Sequence, residues 1–250
     1  MKGSKTWKLR KKLKLCIMGV ILLSICILIT PQIFHKNKGK SESIGDYNKG
    51  SLKNGYLLPR SSKNFICYSW FSYYLLGREY INSKVYNTVL ASYADLEKSY
   101  PDRKFVYMEA AKRIGGRMYP HRTHQSGLSI DFMSPLIKNG NPKYFNFLGI
   151  FRYALDFDKN GKSKLNSEVS IDFNLIAEHI LILNKNATKQ GLKIKKVIFN
   201  IDLKDNLYKT EYGNKLKKSG IYLAQNLTPL LNKLHDDHYH IDFELIEKKN

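Results

Sequence analysis

Five of the seven histidines in this 250-residue chain fall in two short segments. They are His121-Arg-Thr-His124-Gln-Ser-Gly-Leu-Ser-Ile-Asp131 and His235-Asp-Asp-His238-Tyr-His240-Ile-Asp242, about a hundred residues apart. Imidazole is the commonest metal ligand and the usual general base near neutral pH. Segments this far apart meet only if the chain folds back on itself, and a shared metal site is the chemical reason to bring them together.

The N-terminus sets a second constraint. Seven lysines and arginines between Lys2 and Lys14 precede an uncharged run from Leu15 to Phe34 that is nearly all apolar to Thr30. Roughly 20 residues of helix span a bilayer, and a basic flank favours the cytoplasmic side. A cleaved signal has a shorter apolar stretch ending in small residues. Ser24 and Cys26 imitate such an end, but apolar residues continue past them, and Ile25 before Cys26 does not suit a lipoprotein signal. The run reads as an uncleaved anchor with residues 1–14 as its basic cytoplasmic segment; export after signal cleavage is the alternative. Both place the rest outside the cytoplasm. An inner-membrane protein with its domain in the periplasm, or the extracytoplasmic space, is the expectation.

Net charge is +21, but residues 1–40 hold ten of the 42 Lys/Arg and none of the 21 acidic residues. The remainder carries 32 basic against 21 acidic groups, a net +11, which suits an anionic partner such as lipid head groups or a cell-wall polymer. No Arg/Gly run, zinc-finger spacing or RNP-like aromatic motif supports nucleic acid. Cys67 is the one cysteine outside the apolar run, so the domain has no internal disulfide and no cysteine-rich metal site. It reads as a small core residue.

Residues 35–54, rich in Lys, Ser, Asn and Gly, read as a tether between anchor and domain. One domain is expected over 55–250. The spacing predicts a helix over 82–100, capped by Asn82 or Ser83 and stopped by Pro101. A second helix is predicted over 170–190, capped by Ser170 and ended by Gly191, and a charged one over 202–219. Strands are expected at 104–110, 128–133, 196–201 and 238–245. The order lacks a regular βαβ repeat and predicts an α+β domain with a largely antiparallel central sheet flanked by helices.

On the last strand the period of two puts His238, His240, Asp242 and Glu244 on one face and Tyr239, Ile241, Phe243 and Leu245 on the core face. The two imidazoles are then about 7 Å apart. In the first segment Ser129 and Asp131 share one face, His124 precedes the strand, and Gly127 lets the chain turn. A loop His124 and a strand Asp131 can converge with His240 on one ion. A His₂Asp set suits Zn²⁺ with an open position for water, with His238 as the neighbouring base.

His-x6-Asp followed later by His-x-His resembles the pattern of the lysostaphin, D-alanyl-D-alanine peptidase and hedgehog group of zinc peptidases. Within that group, Gly115-Gly-Arg117, His121-x2-His124-Gln-x-Gly127-Leu and His235-x2-His238-x-His240 resemble the penicillin-insensitive murein endopeptidases. Ser43-Ile-Gly45, Gly55 through Leu58-Pro59 and Val197-Ile-Phe-Asn200 extend the likeness over roughly 43–245. It implies a zinc metallopeptidase (a hydrolase) cutting peptide cross-links of peptidoglycan with one catalytic Zn²⁺. His124, Asp131 and His240 would be ligands, His238 the base or transition-state stabiliser, and His235 a proton-handling neighbour. His121 would line the cleft or bind metal. The family's better-known members carry several cysteines and an aromatic residue three positions before the His235 equivalent. Here that position is Asn232.

Two other readings stay open. One is a D,D- or L,D-carboxypeptidase trimming stem peptides; the other is a non-catalytic zinc-containing wall-binding domain. Glu109 reads as a lysine partner or a cleft residue, Arg117 as solvated or carboxylate-binding, and Asp242 and Glu244 as surface charges or ligand orienters. His179 reads as structural. Asp156-Phe-Asp158-Lys-Asn160-Gly161 fits half of a calcium-loop pattern, but Ser167 stands where the closing Glu belongs, and the segment reads as a tight turn.

Overall fold

The computed structural model describes residues 2–246. Helix α1 (Lys2–Ile33) leads the chain and meets the domain only at its C-terminal end. Its stretch Arg10–Ile33 is long and apolar enough to cross a membrane, at about 36 Å for ~1.5 Å per residue.

The segment read as a tether is instead folded. Strands β1 (Glu42–Asp46) and β2 (Lys49–Lys53) form an antiparallel hairpin. Short polar side chains, which look like linker composition, supply its anchoring hydrogen bonds. Asn37 exchanges two with the backbone of Leu57, and Ser41 accepts from Ser83 N and donates to Asn54 O. The domain therefore begins well before residue 55.

Strands β3 (Tyr56–Leu57) and β4 (Phe65–Cys67) follow, then β5 (Tyr80–Ile81), which pairs with β3. Helix α2 (Ser83–Ser99) starts where Asn82 Oδ1 accepts from Lys84 N. Strands β6 (Phe105–Tyr107) and β7 (Ser129–Met133) bracket the long loop that carries the first histidine segment. Strands β8 (Leu136–Lys138), β9 (Asn141–Lys143) and β10 (Val169–Ile171) form a small separate sheet. Helix α3 (Phe173–Lys189) is capped by Asp172, whose carboxylate accepts from Leu175 N. Ser170, the expected cap, belongs to β10. Strand β11 (Leu192–Ile198) is followed by α4 (Lys204–Tyr208), α5 (Glu211–Lys218) and α6 (Pro229–Lys233). The single helix expected over 202–219 is thus two, because the Thr210 side chain accepts from Gly213 N and starts a new one. Strand β12 (His238–Leu245) closes the domain.

The architecture is α+β. The main sheet has the order β11-β12-β7-β6-β4, antiparallel except for the β4–β6 pair. Helices α2 and α3 pack against one face. Val89, Tyr93, Ile176 and Ile180 meet Ile130, Phe132, Ile241 and Phe243 in one core. Cys67 lies in that core. His179 lies here too, with Nδ1 2.5 Å from the Tyr239 hydroxyl, and burial pushes its pKa down to about 3. It is a neutral structural histidine. The alternation expected for β12 holds, but its other face is not open. His238, His240 and Asp242 are buried as well, under the 111–128 loop and the helical turn Asn146–Ala154.

Candidate metal centre

The β7–β12 register sets His240 opposite Asp131 and Asp242 opposite Ser129. The β6–β7 ladder continues one step past β6, with Asp131 N donating to Glu109 O at 3.0 Å, so Glu109 also flanks Asp131. His240 on β12, Asp131 on β7 and Glu109 just past β6 are thereby aligned by backbone hydrogen bonds.

His124 comes from the loop and sits at φ 68°, in the left-handed region that costs a residue with a Cβ roughly 1 kcal/mol or more. The surroundings hold it there. Gln125 N donates to Tyr47 O in the β1–β2 turn, and Gly116 N donates to Gln125 O. A Cβ on Gly115 would lie 2.1 Å from Gln125 O, so only glycine permits this approach. The hairpin expected to be a linker therefore supports the loop that presents His124.

The ligand atoms of His121, His124 and Asp131 all lie within 4.8 Å of one another. His124 Nε2 is 3.3 Å from Asp131 Oδ2, and His121 Nδ1 is 3.8 Å from the same oxygen. His124 is fully buried, yet neither of its ring nitrogens makes a hydrogen bond, and neither does Asp131 Oδ2. Buried polar atoms left without partners are costly, and here lone pairs from two residues converge on one point. This donor set of imidazole nitrogen and carboxylate oxygen fits a metal ion, and the group can hold one.

His240 flanks the group from the other side of Asp131, with both ring nitrogens on carboxylates. Its Nδ1 lies 2.7 Å from Asp131 Oδ1 and its Nε2 2.7 Å from Asp242 Oδ1. Burial works against its charge, but the Asp242 and Asp131 carboxylates prevail and raise its pKa to about 10. Asp242 is no surface charge: it is buried, accepts from Ser129 Oγ at 2.6 Å and pairs with Lys196 at 3.1 Å. It orients the His240 ring. Asp131 is held well below the ordinary carboxylate range, since His124 and His240 outweigh its burial. Burial lowers the His124 pKa.

The remaining histidines line the same space. His235 and His238 rings lie 4.8 Å apart, and His235 is 6.5 Å from His240. His235 Nδ1 faces Leu231 O at 2.7 Å, so that nitrogen carries the proton and Nε2 has the free lone pair. Burial, then the neighbouring His238, pushes its pKa down to about 3. His238 Nδ1 lies 2.5 Å from Asp237 Oδ1. Burial opposes a charge on this ring, yet Asp237 raises its pKa above the ordinary value. Asn232, where an aromatic residue was expected by resemblance, accepts from Ile201 N and from Asn200 Nδ2, and so fixes the turn leading to His235.

Glu109 is not a lysine partner. It takes hydrogen bonds from Arg78 Nη1 and Tyr68 Oη and lies 2.5 Å from His121 Nε2. That contact leaves His121 Nδ1 as the lone pair facing Asp131. Despite burial, His121 and Arg78 hold the Glu109 pKa down to about 2. Arg117 is exposed, and Glu244 pairs with Lys193 away from the cluster. Asp156 is occupied by Lys164 and Lys233, and Asp158 Oδ1 accepts from Asn160 N and Lys162 N in a tight turn.

Sequence reasoning missed Tyr153 and Asp237. Tyr153 stands edge-on to His238 at 5.4 Å and to Tyr68 at 5.7 Å, and its buried hydroxyl has no hydrogen-bond partner. Burial, with the Glu109 and Asp131 charges nearby, raises its pKa well above the ordinary value, so it stays a donor. No periodicity marks it, because it lies in an irregular helical turn. Asp237 was readable as the residue before His238, but its carboxylate role depends on backbone geometry. No protein-family model matches this chain, and no curated protein matches it significantly.

Proposed function

We propose that this protein is a membrane-anchored zinc metallopeptidase that hydrolyses peptide cross-links of peptidoglycan. The observation that carries the reading is the buried His124–Asp131 contact, whose facing atoms make no hydrogen bond among the described residues, beside the His238–Asp237 couple. The histidine spacing and its resemblance to murein endopeptidases suggest the substrate class, and the basic domain suits an anionic wall.

His124 and Asp131, with His240 and His121 beside them, would hold the ion. A zinc ion bound there lowers the pKa of a water and polarises a carbonyl. The other groups follow from their own geometry. Asp237 fixes the His238 ring with Nδ1 protonated and stabilises its charged form, which leaves Nε2 to take and return a proton. Asp242 fixes His240. The Tyr153 hydroxyl is a donor with no partner among the described residues, suited to an oxygen that gains negative charge. His235, kept neutral by burial, offers Nε2 as a second proton acceptor.

Digestion of purified sacculi, followed by muropeptide analysis, tests the proposal. Loss of cross-linked dimers, blocked by a chelator and unaffected by penicillin, is the expected result. Release of free D-alanine from uncross-linked stems would identify a carboxypeptidase. Wall binding without any new muropeptide would identify a binding domain.

A further inference from the structure

The chain passes from α1 into the domain with almost no slack. Phe34 N still donates to Thr30 O, and the next residue, His35, already packs edge-on against Tyr80 at 4.9 Å. Asn37 is bonded to Leu57 two residues later. The end of α1 also touches a second element, the helical turn Ser72–Leu76. Gln32 Nε2 donates to Tyr74 O at 2.6 Å, and Gly77 approaches Gln32 so closely that a Cβ would lie 3.2 Å from its amide.

Large apolar side chains surround this junction in the open. Trp70 is 57 % exposed, Phe71 37 % and Leu76 39 %, next to Ile33 at 58 % and Phe34 at 74 %. Ser72 and Tyr73 between them point inward and are buried. The exposed Arg60 guanidinium stands 6.0 Å from the Tyr74 ring centre. An apolar patch carrying Trp70, with a cation over the neighbouring Tyr74, does not suit bulk water. It matches the chemistry of the bilayer interface, where Trp and Tyr sit at head-group level and Arg meets phosphate.

We propose that the surface formed by Trp70, Phe71 and Leu76 is seated in the head-group layer of the bilayer that α1 crosses. This rests on α1 being a membrane span. The junction dictates the occupant: a domain that starts within a residue or two of a spanning helix must put the surface around that helix end against lipid. The inner side of the same segment holds the candidate site. Tyr68 donates to Glu109, and Arg78 pairs with it. Seating the patch therefore sets how the Glu109–His121 side of the metal group stands relative to the membrane.

Trp7 and Trp70 are the two tryptophans, so a Trp7→Phe full-length chain reports on Trp70 alone. It is reconstituted in phosphatidylcholine and phosphatidylglycerol vesicles, with or without bromine near the ester end of the acyl chains. Flotation after an alkaline wash reads anchoring by α1 separately. The expected result is co-flotation, loss of most Trp70 emission in brominated vesicles and protection from acrylamide. Co-flotation with Trp70 open to acrylamide and unaffected by bromine overturns the seat but leaves the anchor. Protection from acrylamide without bromine quenching means that protein covers the patch, which also overturns it. Failure to float overturns the anchor and the seat together.

Discussion

His124 Nε2 and Asp131 Oδ2 face each other at 3.3 Å, both buried and neither making a hydrogen bond. The contact joins a loop held in left-handed backbone to the central strand of the sheet. Together with His121, these two groups can hold a metal ion. His124→Ala and Asp131→Ala are therefore expected to abolish metal retention after dialysis, read by elemental analysis of the purified chain. His121→Ala and His240→Ala should each weaken it, with the larger loss marking the third ligand. Full metal content in all four variants would refute the centre.

Asp242 acts through His240. Removing its charge with Asp242→Asn frees the His240 ring and should weaken metal affinity by about 10- to 100-fold. Competition with a chelator of known affinity measures this. An unchanged affinity would reduce Asp242 to a partner of Lys196.

In the proposed reaction His238 and Asp237 serve proton transfer rather than metal retention. His238→Ala should keep the metal and lower sacculus hydrolysis by about 100- to 10,000-fold. Asp237 raises the His238 pKa against the effect of burial. Asp237→Asn should then lower that pKa, as read by NMR titration, because burial and the His240 charge are left opposed only by Asp131.

Glu79 gives a stability prediction independent of the metal. Burial, reinforced by the nearby Glu109 charge, raises its carboxyl from the ordinary 4.5 to about 8, although Ser72 donates to it. The folded protein thus binds a proton that the unfolded chain releases. Its contribution is complete below pH 4.5 and is lost as pH rises toward 8. Glu79→Gln has no such loss. Urea denaturation across this range should show the variant gaining on the native chain by a few kcal/mol; a constant difference would refute it.

Tyr153→Phe removes a buried hydroxyl that bonds to nothing. In chelator, thermal or urea stability should stay level or rise by about 1 kcal/mol, while hydrolysis falls. A clear loss of stability would show that the hydroxyl has a structural partner.

What the sequence made legible was local. Asn82 and Pro101 bracket α2 because a cap and a helix breaker act within a few residues. The period of two put His238, His240 and Asp242 on one face of β12, and their convergence with His124 and Asp131 followed from the fold-back. What stayed hidden depended on partners far along the chain. Glu109 read as a lysine partner or a cleft residue, and only the β6–β7 ladder sets it beside His121 and Arg78. The segment 35–54 resembled a linker because serine and asparagine are linker residues, and only their partners at Leu57, Ser83 and Ser126 show otherwise. Tyr153 has no pattern to betray it, since an irregular turn has no repeat.

The junction at Phe34–His35 has a mechanical consequence. A domain on a long leash can sweep a volume and hunt for its target. One whose first ordered contact lies a single residue beyond its stalk can do little more than spin about the stalk axis. Its working radius is its own width, so the target must be delivered to that narrow ring, and lengthening the stalk would move the ring outward without widening it.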